Sequence, residues 1–425
     1  MTGSAAAAPG ERVLHTAPRL VTCDRERDAA GVGAIESGAV LVEAGTIRDV
    51  GPALELAARY PEARRVEHPG LVTPGLVDAH THTAWMGSRA REYAQRLAGD
   101  GYEAIAAAGG GIVATMRAVR AASTDEVAEA LAARLGSMLA LGVTTVEVKS
   151  GYGLSEADET KQLAAVALAV ARGKGAAPLP RVVPTFLGLH AVPPEFAGDR
   201  ASYARACGGW LDGIAASGLA AFVDAYVDRS AFSCAEARPY LERAKELGLG
   251  VRLHVGQFAD VGGAELAADL GARSVDHLEH VSEAGLARLA SAGVSAVLLP
   301  VASFTLAQAP PDVAAMRAAG LRLVVASDAN PGTAPTLSLP LAMALAARHY
   351  GMTVPEVWLG VTRHAAACLD LDAGSLRVGA PADFVAWDAS DEAELVQPWG
   401  TSRALTVVKA GAAVVNSSQS RRFLV

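Results

Sequence analysis

From residue 73 onward, short β-branched runs alternate with longer stretches whose apolar positions recur at helical spacing. The runs predict eight strands, at 72–80, 143–149, 182–187, 222–227, 251–255, 274–278, 296–299 and 323–327. Amphipathic helices fall between most of them, at 124–141, 156–172, 234–247 and 282–292. Repeated βα units of this kind make a parallel sheet. Eight of them suit a (β/α)8 TIM-like barrel, which gathers its chemistry at the C-terminal strand ends. A doubly wound open sheet is the alternative, but no Gly-x-Gly-x-x-Gly follows the first strand.

The flanks read differently. Residues 13–67 hold short alternating runs joined by tight turns, and the stretch 374–411 has the same character. The two ends are expected to pair into one small β-sandwich-like domain of residues 1–72 plus 373–425. Residues 73–372 are left as the barrel.

Composition narrows the partners. The 425 residues are 51% hydrophobic and 19% charged with a net charge of −8, as in a folded chain with no basic stripe for nucleic acid. Mean hydropathy is positive at +0.25, but Arg or Lys interrupts each apolar tract before it reaches membrane-spanning length. Met1 to Gly10 carries no basic start followed by an apolar core, so no secretory signal is read there. Cys23, Cys207, Cys234 and Cys368 lie far apart without a Cys-x-x-Cys pair. That spacing fits neither a disulfide framework nor a thiolate zinc site, and it suits a reducing, cytoplasmic setting.

The chemistry concentrates at strand ends. An apolar run, Gly70 to Val77, ends in Asp78-Ala79-His80-Thr81-His82. Residues two apart on a strand face the same side, so His80 and His82 converge. His254 ends the fifth strand, His277 the sixth and Asp328 the eighth. Three imidazoles (His80, His82, His254) and the Asp328 carboxylate suit one Zn²⁺ or Fe ion per subunit with an open position for water. Such an ion lowers the pKa of its water from about 15.7 to about 7. Asp328 can accept a proton, and His277 can orient the attacking group or polarise a carbonyl. Blander readings exist: His277 as a hydrogen-bonded core histidine, and Asp328 as a cap on the turn Asn330-Pro331-Gly332-Thr333. His280, His349 and His364 read as structural or exposed.

Several longer stretches carry a resemblance. They are Pro74 to His82, Gly87-Ser88-Arg89, Gly109-Gly110-Gly111-Ile112, Gly142 to Leu154 with its Glu-Val-Lys-Ser-Gly-Tyr-Gly-Leu run, Thr185 to Pro193, Ser274 to Glu279, and Asp328-Ala329-Asn330-Pro331-Gly332-Thr333. On these, nearly the whole chain after its first dozen residues resembles the imidazolonepropionase family of the amidohydrolase superfamily. The resemblance implies hydrolysis of 4-imidazolone-5-propanoate to N-formimidoyl-L-glutamate, a step in histidine breakdown, and by analogy a homodimer. Barrels of this type commonly bridge a second ion with a carboxylated lysine at the end of strand four. Residues 221–227 contain none, which implies one ion.

The resemblance also places substrate contacts. Arg89 would hold the propionate with its planar fork. Tyr152 and His190 would donate to ring or carboxylate oxygens, and Gln257, Asn330, Gly332 and Thr333 would complete the contacts. One departure stands out. The family often has His-Ala-Asp-Glu after the fifth strand, whereas this chain has His254-Val255-Gly256-Gln257. Glutamine hydrogen-bonds but takes no proton, so proton handling moves to Asp328 and His277. Two other readings compete: a related cyclic amidohydrolase or deaminase, and a non-catalytic scaffold. The scaffold is disfavoured because all four metal donors are present.

Overall fold

The computed structural model describes residues 11–101, 104–105, 108–173, 178–397 and 400–416. The chain opens with strands β1 (Arg12–Val21), β2 (Ala34–Glu43), β3 (Thr46–Pro52), β4 (Arg64–Glu67) and β5 (Leu71–Pro74). Eight more follow: β6 (Leu76–Asp78), β7 (Val143–Lys149), β8 (Arg181–Leu189), β9 (Phe222–Val227), β10 (Gly250–Val255), β11 (Ser274–His277), β12 (Ser295–Leu298) and β13 (Arg322–Val325). The last three are β14 (Phe384–Trp387), β15 (Ala404–Lys409) and β16 (Ala412–Asn416).

β6 to β13 form one eight-stranded sheet in sequence order. At the two ends of that order, the Asp328 amide donates to the His80 carbonyl (3.1 Å) and the His82 amide to the Ala329 carbonyl (3.0 Å). Thr81 and Ala329 also form a parallel bridge. These bonds bring the sheet close to a closed barrel, as the βα alternation predicts. The four helices named from sequence appear at Thr124–Ala140, Glu156–Gly173, Cys234–Glu246 and Glu283–Ser291.

The two chain ends share a second sheet in the order β16-β15-β14-β5-β1-β2-β3, with β4 beside β1. Antiparallel pairing of β14 with β5 joins them, and the Trp387 indole N–H donates to Thr73 Oγ1 across that pair (2.9 Å). Leu20, Val40, Ile47, Val72, Phe384 and Val408 are buried together on one face of this sheet. By internal packing the chain resolves into two units. Residues 1–79, 136–145 and 338–425 make one, and residues 80–135 and 146–337 the other. Every residue singled out above for chemistry lies in the second.

The first predicted strand is corrected. The run 72–80 is not one strand: β5 belongs to the terminal sheet and β6 to the barrel, with Gly75 between them. A Cβ at Gly75 would lie 2.1 Å from Thr144 Oγ1, so only glycine fits where the chain changes sheets. Among the described residues, no helix is long and apolar enough to cross a membrane.

Candidate active site

Four donors meet where the barrel closes. His80 Nε2 lies 3.2 Å from His82 Nε2, and His82 Nε2 lies 3.4 Å from His254 Nε2. Asp328 Oδ1 is 3.4 Å from both His80 Nε2 and His82 Nε2. Imidazole nitrogens about 2.0–2.1 Å from one ion stand roughly 3.3–3.4 Å apart in tetrahedral geometry, and the His80–His82 and His82–His254 separations match. The three histidines form one group able to ligate an ion, with Asp328 beside two of them. The tautomers agree. His80 Nδ1 is 2.6 Å from Asp276 Oδ2 and His254 Nδ1 is 3.0 Å from Asp224 Oδ1, so each donates outward and turns a lone pair inward. Burial, with help from the Lys149 charge and neighbouring imidazoles, holds all three well below the usual histidine pKa. The inward lone pairs of His80 and His254 converge with the His82 ring and the Asp328 carboxylate in a buried seat, a donor set that suits a cation. The residues therefore fit a metal ion.

Beside this seat stand the groups that can move protons. Burial pushes Asp328 up to about 7, against the opposing pull of His277 and a hydrogen bond from Asn330. His277 shifts upward. Burial alone would lower it, but the carboxylates of Glu279, Asp328 and Asp276 outweigh that effect. Its Nδ1 is 3.7 Å from Glu279 Oε2. The backbone is strained here, with φ of +86° at His277, +69° at Leu278 and +54° at Asp328. Non-glycine residues in this region cost on the order of 1–3 kcal/mol each and persist where the surroundings enforce them.

Six of the predicted substrate residues, Arg89, Tyr152, His190, Gln257, Asn330 and Thr333, line the same small cavity, with Ile112 and Tyr226 added, whereas Gly332 does not line it and packs against Arg89 instead. Arg89 is buried, and its Nε donates to Glu92 Oε2 (2.8 Å). A side chain at Gly332 would strike that guanidinium, since its Cβ would lie 2.1 Å from Nη1. Tyr152 is held by the helix that follows its loop. Glu159 accepts from the amides of Gly151, Gly153 and Leu154 (2.7–2.9 Å), and Gln162 Oε1 accepts from the Tyr152 amide (3.1 Å). Asn330 spends both ends of its amide on its own loop. Oδ1 takes the Gly332 and Thr333 amides, while Nδ2 donates to the Asp328 carbonyl and to Thr333 Oγ1.

Two polarities differ from the sequence expectation or sharpen it. His190 is held neutral by burial, at about 4, and its Nδ1 donates to the Gly151 carbonyl (2.8 Å). Nε2 is therefore an acceptor, not the expected donor. The Tyr226 hydroxyl donates to Gln257 Oε1 (2.6 Å), so the Gln257 NH₂ is the end left for a ligand. Gly256 has φ of +68°, and a Cβ there would lie 2.7 Å from Val281 Cγ2, which explains why no acidic side chain occupies it.

Sequence reasoning missed the layer beneath. Lys149 Nζ is 2.7 Å from both Glu147 Oε1 and Asp224 Oδ2, and Arg252 Nη2 is 3.4 Å from Asp276 Oδ2, all fully buried. The available signal was alternation: charged residues two apart, Glu147 with Lys149 and Arg252 with His254, inside otherwise apolar strands.

Comparison with known proteins agrees with this geometry. Residues 71–416 match the amidohydrolase family, and residues 38–63 match the bacterial imidazolonepropionase-like composite domain. An imidazolonepropionase from a Polaromonas species is 45% identical over 92% of both chains. One from Caulobacter vibrioides is 47% identical over 87% of this chain and 92% of that one. The chain belongs to the imidazolonepropionases of the amidohydrolase family. The fold of that family is shared more widely. A zinc-bound adenosine deaminase from Xanthomonas campestris superimposes with a TM-score of 0.72 at 19% identity, covering 96% of this chain and 94% of that one. N-isopropylammelide isopropylaminohydrolase from Burkholderia multivorans gives 0.70 at 21%, covering 96% and 98%.

Proposed function

We propose that the chain hydrolyses 4-imidazolone-5-propanoate to N-formimidoyl-L-glutamate, using one Zn²⁺ or Fe ion held by His80, His82, His254 and Asp328. The observation that carries this reading is the convergence of the three imidazoles, with Asp328 Oδ1 3.4 Å from two of them, beside a cavity that presents Arg89, Tyr152, His190 and Gln257. When bound, the ion would acidify a water and polarise the ring carbonyl.

The residues divide the remaining work. Arg89 pairs with the propionate through its two terminal nitrogens, its Nε being engaged by Glu92. His190 Nε2 accepts from a ring N–H, and the Gln257 NH₂ donates to a ring or product oxygen. Tyr152 closes the cavity beside the His82 and His190 rings, with centroids 6.0 and 5.3 Å away. The Asp328 carboxylate takes the proton released on attack and returns it to the departing ring nitrogen. The imidazolium form of His277, favoured by Glu279, stabilises charge on the former carbonyl oxygen.

In the same reading, residues 73–372 form the hydrolase barrel and residues 1–72 with 373–425 the smaller β domain. The protein works as a homodimer and in the cytoplasm, the latter in keeping with four cysteines that form no disulfide, three of them buried. The test follows loss of imidazolone absorbance by purified, metal-analysed protein. Arg89→Ala should mainly raise KM and Asp328→Asn should mainly lower kcat. Turnover of a deaminase substrate with none of imidazolonepropanoate would overturn the assignment.

A further inference from the structure

We propose that Lys149 is a positioning residue for the metal seat, its ammonium fixing the two carboxylates that orient His80 and His254. The mechanism above makes no use of this fully buried lysine. Yet its Nζ sits 2.7 Å from Asp224 Oδ2, 2.7 Å from Glu147 Oε1 and 3.7 Å from Asp276 Oδ2. Asp224 gives its other oxygen to His254 Nδ1 (3.0 Å), and Asp276 uses the same Oδ2 to accept from His80 Nδ1 (2.6 Å). One cation thus reaches two of the three imidazoles, each through a single carboxylate. The ammonium stays charged: burial works against it, but Asp224 and Glu147 outweigh that loss.

The charges explain the need. Glu147, Asp224 and Asp276 place three buried carboxyl groups around the two buried basic side chains of Lys149 and Arg252. Without the lysine, Asp224 and Asp276 lose the partner that fixes their rotamers and can turn away from the imidazoles. A carboxylate that has turned no longer selects the Nδ1–H tautomer. The imidazole proton is then free to move to Nε2, the atom that faces the ion. A lysine that merely fills volume makes a different prediction, because methionine of similar length would replace it.

The proposal rests on reading His80, His82, His254 and Asp328 as metal donors, and the test separates the two. Lys149→Met and the charge-balanced Lys149→Met/Glu147→Gln are compared with the parent protein. Zn²⁺ affinity is measured by chelator competition, and the visible spectrum is recorded after Co²⁺ loading. Both variants should bind Zn²⁺ about 10–100-fold more weakly, as loss of partners behind metal-bound histidines does, with a shifted cobalt spectrum. In the metal-loaded fraction KM should stay near the parent value, since Lys149 touches no substrate. Should the single variant not fold, the double variant decides. Parent-like Zn²⁺ affinity with an unchanged cobalt spectrum in a folded variant overturns the proposal. A parent protein that binds no zinc overturns the donor reading, and this proposal with it.

Discussion

Tyr226 controls which end of Gln257 a ligand meets. Its hydroxyl donates to Gln257 Oε1 at 2.6 Å, and a glutamine amide flips at little cost when nothing anchors it. Tyr226→Phe removes the anchor but keeps the ring beside His254. A lost hydrogen bond of this kind is worth roughly 1 kcal/mol, so KM should rise about five-fold with kcat nearly unchanged in steady-state kinetics. An equal fall in kcat with KM constant would place Gln257 in the transition state instead. The Gln257 position was legible in the sequence, because it follows His254 by three. Its polarity was not, because Tyr226 lies on another strand and only folding brings the two together. Gly256 teaches the same lesson: its departure from the acidic pattern is a steric requirement set by Val281, a neighbour remote in the sequence.

The elements hold these residues through bonds between neighbouring segments. Glu92, in the helix Ala90–Leu97, accepts at one oxygen from both Arg89 Nε (2.8 Å) and the Gly111 amide (3.2 Å). One carboxylate thus aims the arginine and ties its helix to the first residue of helix Gly111–Ala121. Glu92→Ala should raise KM several-fold, and Arg89→Ala/Glu92→Ala should add little beyond Arg89→Ala alone in a double-mutant cycle. Additive effects would show that Glu92 acts elsewhere. Strand and helix positions were legible because burial imposes periods of two and 3.6, but a period does not say which sheet a strand joins. That is why residues 72–80 read as one strand where Gly75 divides two.

The terminal sheet yields a pH prediction of its own. His15 Nδ1 and His68 Nε2 lie 3.0 Å apart. Burial, with repulsion from His68, lowers His15 to about 3, and burial lowers His68 to about 4. Both fall below the unfolded value of 6.5, so the folded state resists protonation. Stability held above pH 6.5 is lost as pH falls toward 4, on the order of 2 kcal/mol per histidine at pH 5. The melting temperature of His15→Gln/His68→Gln should fall less between pH 7 and pH 5 than that of the parent. An identical fall would mean that the acid sensitivity lies in other groups.

At the scale of the whole chain, the proposed metal donors come from the ends of the first, fifth and eighth barrel strands, so an ion in that seat would link segments far apart in sequence. The donor types and their strand-end positions were visible before folding, because parallel βα repeats send strand ends to one face. The buried charges behind them were passed over, because a lone charged residue in an apolar strand looks like a break in the pattern rather than part of a network. That network raises the stakes of emptying the seat. Without an ion, three imidazoles and Asp328 face one another above a layer of buried carboxyl and basic side chains. An ion that binds only the folded chain stabilises it by about 4 kcal/mol at a thousand-fold excess over Kd. Stripping it should therefore lower Tm by several degrees in a domain of this size. Calorimetry at graded free Zn²⁺ concentrations checks this, with Tm climbing as the logarithm of free metal. The dependence should weaken in Asp328→Asn, and a Tm indifferent to chelator and to added zinc would mean that the four donors do not hold the ion together.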